Sequence, residues 1–492
     1  MTSPSLQNII ILGAQAEAPL AALSLAQQLT GLPLNITVIE PPLAIDEKHV
    51  SLLAPDTHIL LHKLGIDLRE LIKHCRVGFS LGTLYKNWHS LNQDYFHPFA
   101  AQGIDKGFLD FHQFANKLRL AGENIHINQF SLASQLALSG KFTLPVNDPK
   151  SLLSTLSYGI QVNTSDFRHL IKRKALSVGI QIISTEIDHI NLDQQEYITS
   201  LRLSNGQVID ADFFIDASGS QRLLRSKQSV SDIKQISEQL GYHHCLTLFN
   251  QSTLQHTPYT TNIATTSGFI SQVSSENNTQ YDIYYDKNLG TPKEYESLLQ
   301  THQESIQSKP VGNYYSHQCW YKNSLVIGQA AFDTAPLWFS PVECILQDID
   351  RFVALFPPQK EDTLNAQEYN RLSNNIHTDT VDFYQMHYLL SERVDSAFWQ
   401  SRKLLVSDNF QHNLKLFKSH GRLPVPLGAI KKQSLIATYL GHNQWPEHYH
   451  PLVDMVSFTE IKAQSTSMRH AIHNAIEHLP SLQDFLAKVV GK

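Results

Sequence analysis

The first residues with chemical meaning form a turn, Gly13-Ala14-Gln15-Ala16-Glu17-Ala18, set between an apolar run and an Ala/Leu-rich helical pattern. A G-x-G-x-x-G turn in that setting binds the pyrophosphate of a dinucleotide. Its first glycine makes the bend, its second admits backbone to the phosphates, and its third lets helix pack on strand. Only Gly13 of the three is glycine here. Ala18 is a mild replacement, whereas Gln15 puts a side chain where phosphate oxygens should sit. Glu17 places a negative charge at the helix N-terminus, where an anion would otherwise bind. Glu40, closing the next strand, has the place of the carboxylate that accepts from both ribose hydroxyls of an adenosine. On these residues a working nucleotide site and a purely structural βαβ unit are equally open.

Other chemistry is sparse. The four cysteines, Cys75, Cys245, Cys319 and Cys344, form no CxxC pair and no zinc-type spacing, so they read as reduced, buried thiols of a cytoplasmic protein. The 25 histidines include no HExxH, and no metal site is expected. Lys and Arg total 39 against 45 for Asp and Glu, a formal charge of -6 without a one-sign block, which argues against nucleic acid as a partner. Small molecules or proteins are the expected partners. No stretch nears the roughly 18 apolar residues of a bilayer span, and no basic region precedes the apolar run near the N-terminus. Neither membrane insertion nor export is expected.

The elements that must position these residues follow from composition and period. With 492 residues, 42% hydrophobic and 17% charged, the chain has enough apolar mass for a sizeable core. Asn8 to Leu12, Ala16 to Leu29 and Asn35 to Glu40 read as strand, helix and strand, a βαβ unit of Rossmann type. Helical periodicity recurs at His58 to Leu64, Asp67 to Cys75 and Asp166 to Ser177, each followed by a glycine suited to a C-cap. Gly179 to Thr185 reads as a strand, Ile198 to Ala211 as a hairpin turning at Asn205-Gly206, and Phe213 to Gly219 as a buried strand ending in a small-residue turn. Leu246 to Tyr285 alternates as an antiparallel sheet does, Ser274 to Thr279 reads as a loop, and the chain is largely helical from Ala366. The fold class is α/β (α+β). A Rossmann-like domain over 1–365 carries an inserted antiparallel region near 230–320, and a helical part covers 366–492.

The whole chain resembles the flavin-dependent tryptophan halogenases, a branch of the FAD-dependent monooxygenase superfamily. The resemblance runs through Tyr95-Phe96-His97-Pro98-Phe99 with Phe111-His112, and through Phe214 to Leu224, which is similar to the family's second FAD-contacting motif. It continues through Pro258-Tyr259-Thr260-Thr261, Leu325 to Gly328, Tyr369-Asn370-Arg371, Asp395 to Trp399 and Tyr439-Leu440-Gly441-His442. It implies FAD held by Gly13, Glu40, Asp216, Gly219 and Gly328, and a partner flavin reductase. In the chemistry it implies, reduced FAD, oxygen and halide give hypohalous acid, which passes down a tunnel to a lysine. That lysine, with a glutamate, directs halogen onto an indole carbon.

The chain departs from that pattern where the chemistry lies. Ser80 occupies the lysine's position, and it can form neither a chloramine nor a charged hydrogen bond. The family's E-P-L-E-S-T-G segment reads Ala335-Pro336-Leu337-Trp338-Phe339-Ser340-Pro341. Trp338 thus stands for the glutamate, Ser340 keeps a hydroxyl at the halide site, and Pro341 has no N–H to offer a halide. The family's G-E-x-T loop becomes Val50-Ser51-Leu52-Leu53. Ser80 as a nucleophile lacks a His–Asp pair placed near it in sequence, and His97 and His112 read as core hydrogen-bonding residues. The preferred reading is a non-halogenating relative, weak or lacking in FAD binding, acting as a binding or regulatory protein with a small aromatic ligand, and forming a homodimer as its relatives often do. The alternatives are an active FAD-dependent monooxygenase on an indole or other aromatic substrate, and a halogenase with its lost residues compensated elsewhere.

Overall fold

The computed structural model describes residues 6–42, 48–250, 257–276, 278–290, 295, 307–337, 340–358, 362–403, 406–424 and 428–489. In chain order the elements used below are β1 (Asn8–Leu12), α1 (Glu17–Gln28), β2 (Asn35–Glu40), β3 (Gly82–Ser90) and β4 (Gln93–Pro98). Then come α2 (Thr164–Ser177), β5 (Gln181–Ser184), β6 (Phe213–Asp216), β7 (His244–Asn250), β8 (Thr260–Ala264), β9 (Gly268–Ser275) and β10 (Asn278–Tyr285). β11 (Ser324–Val326), α3 (Pro341–Ala354) and α4 (Thr363–Leu389) complete the set. The chain is a mixed α/β protein that divides into two compact units, each made of three separate segments. The first comprises Met1–Arg76, Val162–Glu238 and Pro310–Thr378, and the second Val77–Gln161, Gln239–Lys309 and Asp379–Lys492. The helical residues beyond Thr378 therefore cluster with the 239–309 sheet region and with 77–161.

In the first unit a six-stranded sheet runs in the order Trp320–Tyr321, β11, β6, β1, β2, β5. All its pairings are parallel except that of the edge strand Trp320–Tyr321. Ile9, Ile10 and Ile11 in β1 are all buried, as a central strand covered on both faces requires. α1 is buried along most of its first two turns, Ala18 to Leu25, because it packs against β1 and β2 and against both α2 and α3. That setting explains its near absence of charge. The βαβ unit has the strand boundaries that its β-branched runs imply, and Gly65 and Gly179 take the positive φ of helix-ending glycines. Gly78 does not. The helix Leu68–His74 ends at an extended Cys75, and Gly78 lies in the strand Val77–Ser80, where a Cβ would stand 2.5 Å from the Ser274 carbonyl oxygen. Its need is close approach, not a helix cap.

The second unit is built on a seven-stranded sheet ordered Gln307–Pro310, β7, β10, β9, β8, β3, β4. It is antiparallel through β7, β10, β9 and β8, as the alternation of 246–285 implies, and β3 joins β8 in parallel. The polar stretch Ser274 to Thr279 is not wholly a loop. β9 continues to Ser275 and β10 begins at Asn278, with Ser274 and Thr279 paired across the hairpin. An aromatic core lies over β3 and β4: Tyr85 stacks on Tyr95 at 4.8 Å and on His387 at 4.9 Å. The indole N–H groups of Trp88 and Trp399 donate to the carbonyls of Asn262 and Thr265, which satisfies both buried donors. Among the described residues no helix is long and apolar enough to cross a membrane, and no group of three His, Cys, Asp or Glu side chains is arranged to hold a metal.

Candidate functional site

At the β1–α1 turn the ends of three strands are tied by backbone hydrogen bonds. The Gly13 N–H donates to the Ile39 carbonyl and the Ala217 N–H to the Leu12 carbonyl, which draws the ends of β1, β2 and β6 together. A Cβ on Gly13 would lie 2.5 Å from the Ala217 carbonyl oxygen and 3.0 Å from the Ala18 Cβ. Only glycine fits there, and Ala18 fills the third motif position without a clash. The N-cap, Ala16, supplies no side-chain acceptor to the first turn of α1. Gln15 is exposed, and Glu17 is partly buried in the first turn. Burial raises the Glu17 carboxyl above its ordinary value, against the pull of its own backbone N–H and of the Arg168 charge.

Glu40 sits where the βαβ pattern places it, but it faces protein. It is 2% exposed. One carboxylate oxygen accepts from Arg168 Nε at 3.2 Å and from Arg168 Nη2, and the other accepts from Lys172 Nζ at 2.6 Å. Ser184 Oγ adds a long contact of 3.5 Å to the second oxygen. Burial alone would raise this carboxyl, but the hydrogen bonds from Lys172 and Arg168 hold it below its ordinary value. The acceptor positions that a ribose would need are thus occupied from within. Sequence reasoning missed both cations. Their signal was an Arg and a Lys four residues apart on α2, one turn of one helix face.

Asp216 and Gly219 end β6 and build its turn. Asp216 is fully buried, and its two oxygens accept from the Ser218 N–H and Oγ and from the N–H groups of Leu224 and Arg225. Its carboxylate caps backbone here. Gly219 has φ +66°, and a Cβ on it would meet Gln329 Oε1 at 3.2 Å. Gly328 follows β11 with φ +56° and donates its N–H to Asp348 of α3 at 2.8 Å. Gly13, Glu40, Asp216, Gly219 and Gly328 therefore all lie in the first unit at the strand ends of one sheet, where an open α/β sheet presents its ligand crevice.

Ser340 and Pro341 belong to the same unit. Ser340 is the N-cap residue of α3, buried, and its Oγ has no hydrogen-bond partner among the described residues. Pro341 stands at the first helical position, where its missing N–H costs nothing and its fixed φ suits the helix. Trp338 and Phe339 lie outside the described residues. Ser80 is in the second unit, fully buried, with its Oγ donating to the Gly82 carbonyl at 2.8 Å. His97 bonds the Ser434 carbonyl and His112 the Gly421 carbonyl. Both are buried. Burial pushes the thiols of Cys75, Cys245 and Cys319 up to about 12, so none is a thiolate nucleophile at neutral pH.

The first unit thus carries a mainly parallel sheet with a glycine-pinned β1–α1 turn, and the second a large, mainly antiparallel sheet. The sequence matches the tryptophan halogenase family over residues 8–458, and the chain belongs to that family. The tryptophan 7-halogenase KtzQ of a Kutzneria strain is 22% identical over 452 residues, covering 87% of this chain and 84% of the relative. In fold the chain is similar to BrvH, a flavin-dependent halogenase from Brevundimonas, with a TM-score of 0.91 at 23% identity over 98% of this chain and 99% of that one. It is equally similar to Xcc4156, a flavin-dependent halogenase from Xanthomonas campestris, with a TM-score of 0.91 at 22% identity and 99% of both chains covered.

Proposed function

We propose that this protein is a non-halogenating member of the tryptophan halogenase family that retains a weakened flavin cradle. The observation that carries the reading is Ser80. At the position the family resemblance gives to lysine stands a short hydroxyl, fully buried and bonded to the Gly82 carbonyl. Its side chain offers no amine with which to carry an electrophilic halogen. Pro341, lacking an N–H where the resemblance puts a halide donor, supports the same conclusion.

FAD is the cofactor the family implies, and the backbone at Gly13 and Gly219 suits its phosphates. When bound, FAD would supply redox chemistry with oxygen. The chain's own groups limit that binding, since Glu40 is engaged by Arg168 and Lys172 and Glu17 competes for the helix N-terminus. Binding of a small aromatic ligand is the remaining role, in a protein that works in the cytoplasm as a monomer or homodimer. Hydroxylation of an aromatic substrate by FAD and a partner reductase is the second reading, favoured by the preserved Gly13 turn.

The test is a reaction with FAD, NADH, a flavin reductase, oxygen and bromide, with tryptophan and indole as acceptors, analysed by mass spectrometry. No brominated product is expected. A brominated product above the level formed by free hypobromous acid refutes the reading, and an oxygenated product establishes the second one.

A further inference from the structure

In the second unit the registers of β8, β9, β10 and β7 set one polar side chain from each strand in a single row across the sheet. Asn262 stands opposite Ser271, Ser271 opposite Asp282, and Asp282 opposite Thr247. Directly paired residues share a face, and the other face of the same strands carries Leu246, Leu248, Ile270 and Ile283. Asn262, Asp282 and Thr247 are buried, Asp282 to 9%. The donors to Asp282 are neutral. One carboxylate oxygen accepts from Thr247 Oγ1 at 2.6 Å and from the Cys245 thiol at 3.9 Å, and the other from Gln280 Nε2 at 2.6 Å. Among the described residues no cation pairs with it, and Lys309, on the edge strand beside β7, is exposed. A buried carboxylate without a counter-charge destabilises a fold that has no other use for it. The row is open near its middle: Ser271 to Ser274 are partly exposed, whereas the rest of β9 is buried. On either side of it along the strands stand apolar groups, Phe269 and Tyr284 in one direction, Val273 and Phe249 in the other.

We propose that this row is a binding site for a small primary ammonium with an apolar body, which enters beside Ser271 and donates to Asp282. The ligand supplies the missing counter-charge, and a charge-assisted hydrogen bond in a largely dry setting is the strong kind. The Ser271 hydroxyl is placed to accept a second ammonium N–H, and the body lies along Val273, where β9 is open. An anion is rejected by the same carboxylate, and a neutral molecule of the same shape leaves it unpaired. The site deepens the reading of this chain as a binder of a small aromatic ligand and rests on that reading, to which it adds the ligand's charge. It lies within the second unit, apart from the Gly13 turn, and does not depend on whether halogen is transferred.

The experiment is titration of the full chain with phenethylamine, with phenethyl alcohol and phenylacetate as neutral and anionic controls of the same body, read by calorimetry and by thermal melting. The amine is expected to bind at least about tenfold more tightly than either control and to raise the melting temperature. Asp282→Asn is expected to lower amine affinity about tenfold and to leave the alcohol unchanged. Without ligand the same variant should melt about 2–4 °C higher, because an uncompensated charge is removed and the Thr247 hydroxyl can turn to accept from the new amide. Should Asp282→Asn fail to fold, Ser271→Phe, which covers the opening and leaves the carboxylate in place, decides the matter alone by abolishing amine binding. The proposal falls if the unaltered protein does not prefer the amine at millimolar concentration. It also falls if Asp282→Asn, or in its absence Ser271→Phe, leaves amine affinity unchanged in a folded protein. In those cases the absence of bromination would still stand, whereas a brominated product would overturn that reading and leave the measured amine preference as it is.

Discussion

Lowering the pH from 7 to 5 should destabilise this protein through histidines buried in neutral form. His97 is pushed down to about 4 by burial, against the opposing bond to the Ser434 carbonyl. His442 is pushed down to about 3 by burial and by the neighbouring His89. His377, in the first unit, is pushed down to about 3 by burial and by the Arg351 charge. His387 moves the same way, because burial and the nearby His442 and His97 all disfavour its charged form. In the unfolded chain each would titrate near 6.5. As pH falls below that value the unfolded state takes up protons that the folded state refuses, so stability drops with slope 1.36 kcal/mol per unit for each group. At pH 5 each of the three costs about 2 kcal/mol, which makes about 4 kcal/mol for the second unit, a large part of a typical 5–15 kcal/mol. Thermal melting at constant ionic strength should show a fall of about 10 °C between pH 7 and pH 5. Carboxylates act elsewhere: Glu40 and Asp232 lie below their ordinary values, so their contribution is lost only as pH falls further, through about 4 and below. His97→Gln should melt lower at pH 8 but with a shallower slope between 7 and 5. A melting temperature that stays flat until pH 4.5 would refute the reasoning.

Gly13→Ala puts a Cβ 2.5 Å from the Ala217 carbonyl oxygen, a backbone atom, and should cost about 1–3 kcal/mol in chemical denaturation. It should also weaken ADP binding, measured by calorimetry, since the turn must open. Ser80→Ala removes one buried hydrogen bond to Gly82 and should cost about 1 kcal/mol, with no change in FAD or ADP titration. Glu40→Gln leaves Arg168 and Lys172 without their counter-charge. A fully buried pair would lose about 3–5 kcal/mol, and because Lys172 keeps 32% of its side chain in solvent a loss of about 2–3 kcal/mol is expected in urea unfolding.

Much of the first unit was legible because its signals are local. A run of three isoleucines between Asn8 and Leu12, a glycine, an alanine-rich helix and a second β-branched run leave a parallel βαβ unit as the only economical arrangement. The positions of Gly13 and Glu40 follow from it. What Glu40 does was not legible, since its partners lie on α2, 128 and 132 residues away, and nothing in a β2 strand announces them. Asp216 is a similar case: a strand-ending acid reads as a ligand, but four donors within nine residues of chain take its oxygens. Gly78 shows the converse error. A glycine three residues past a helix suggests a cap, while the demand comes from Ser274, nearly two hundred residues on.

The same physics explains why this site departs from its family only in part. A residue that differs from a family's pattern is accommodated at low cost when the local backbone has its own use for it. Ser80 gives its proton to Gly82 within its own bend, and Pro341 is a favourable residue for the first turn of α3. Both residues therefore have a local structural use. The phosphate turn is different. Glu17 is a carboxyl raised by burial, with its own backbone N–H and the Arg168 charge acting the other way. Gly13 beside it admits no Cβ, with the Ala217 carbonyl oxygen 2.5 Å from where one would stand, so this turn, and not the Ser80 region, is where remaining function should be sought.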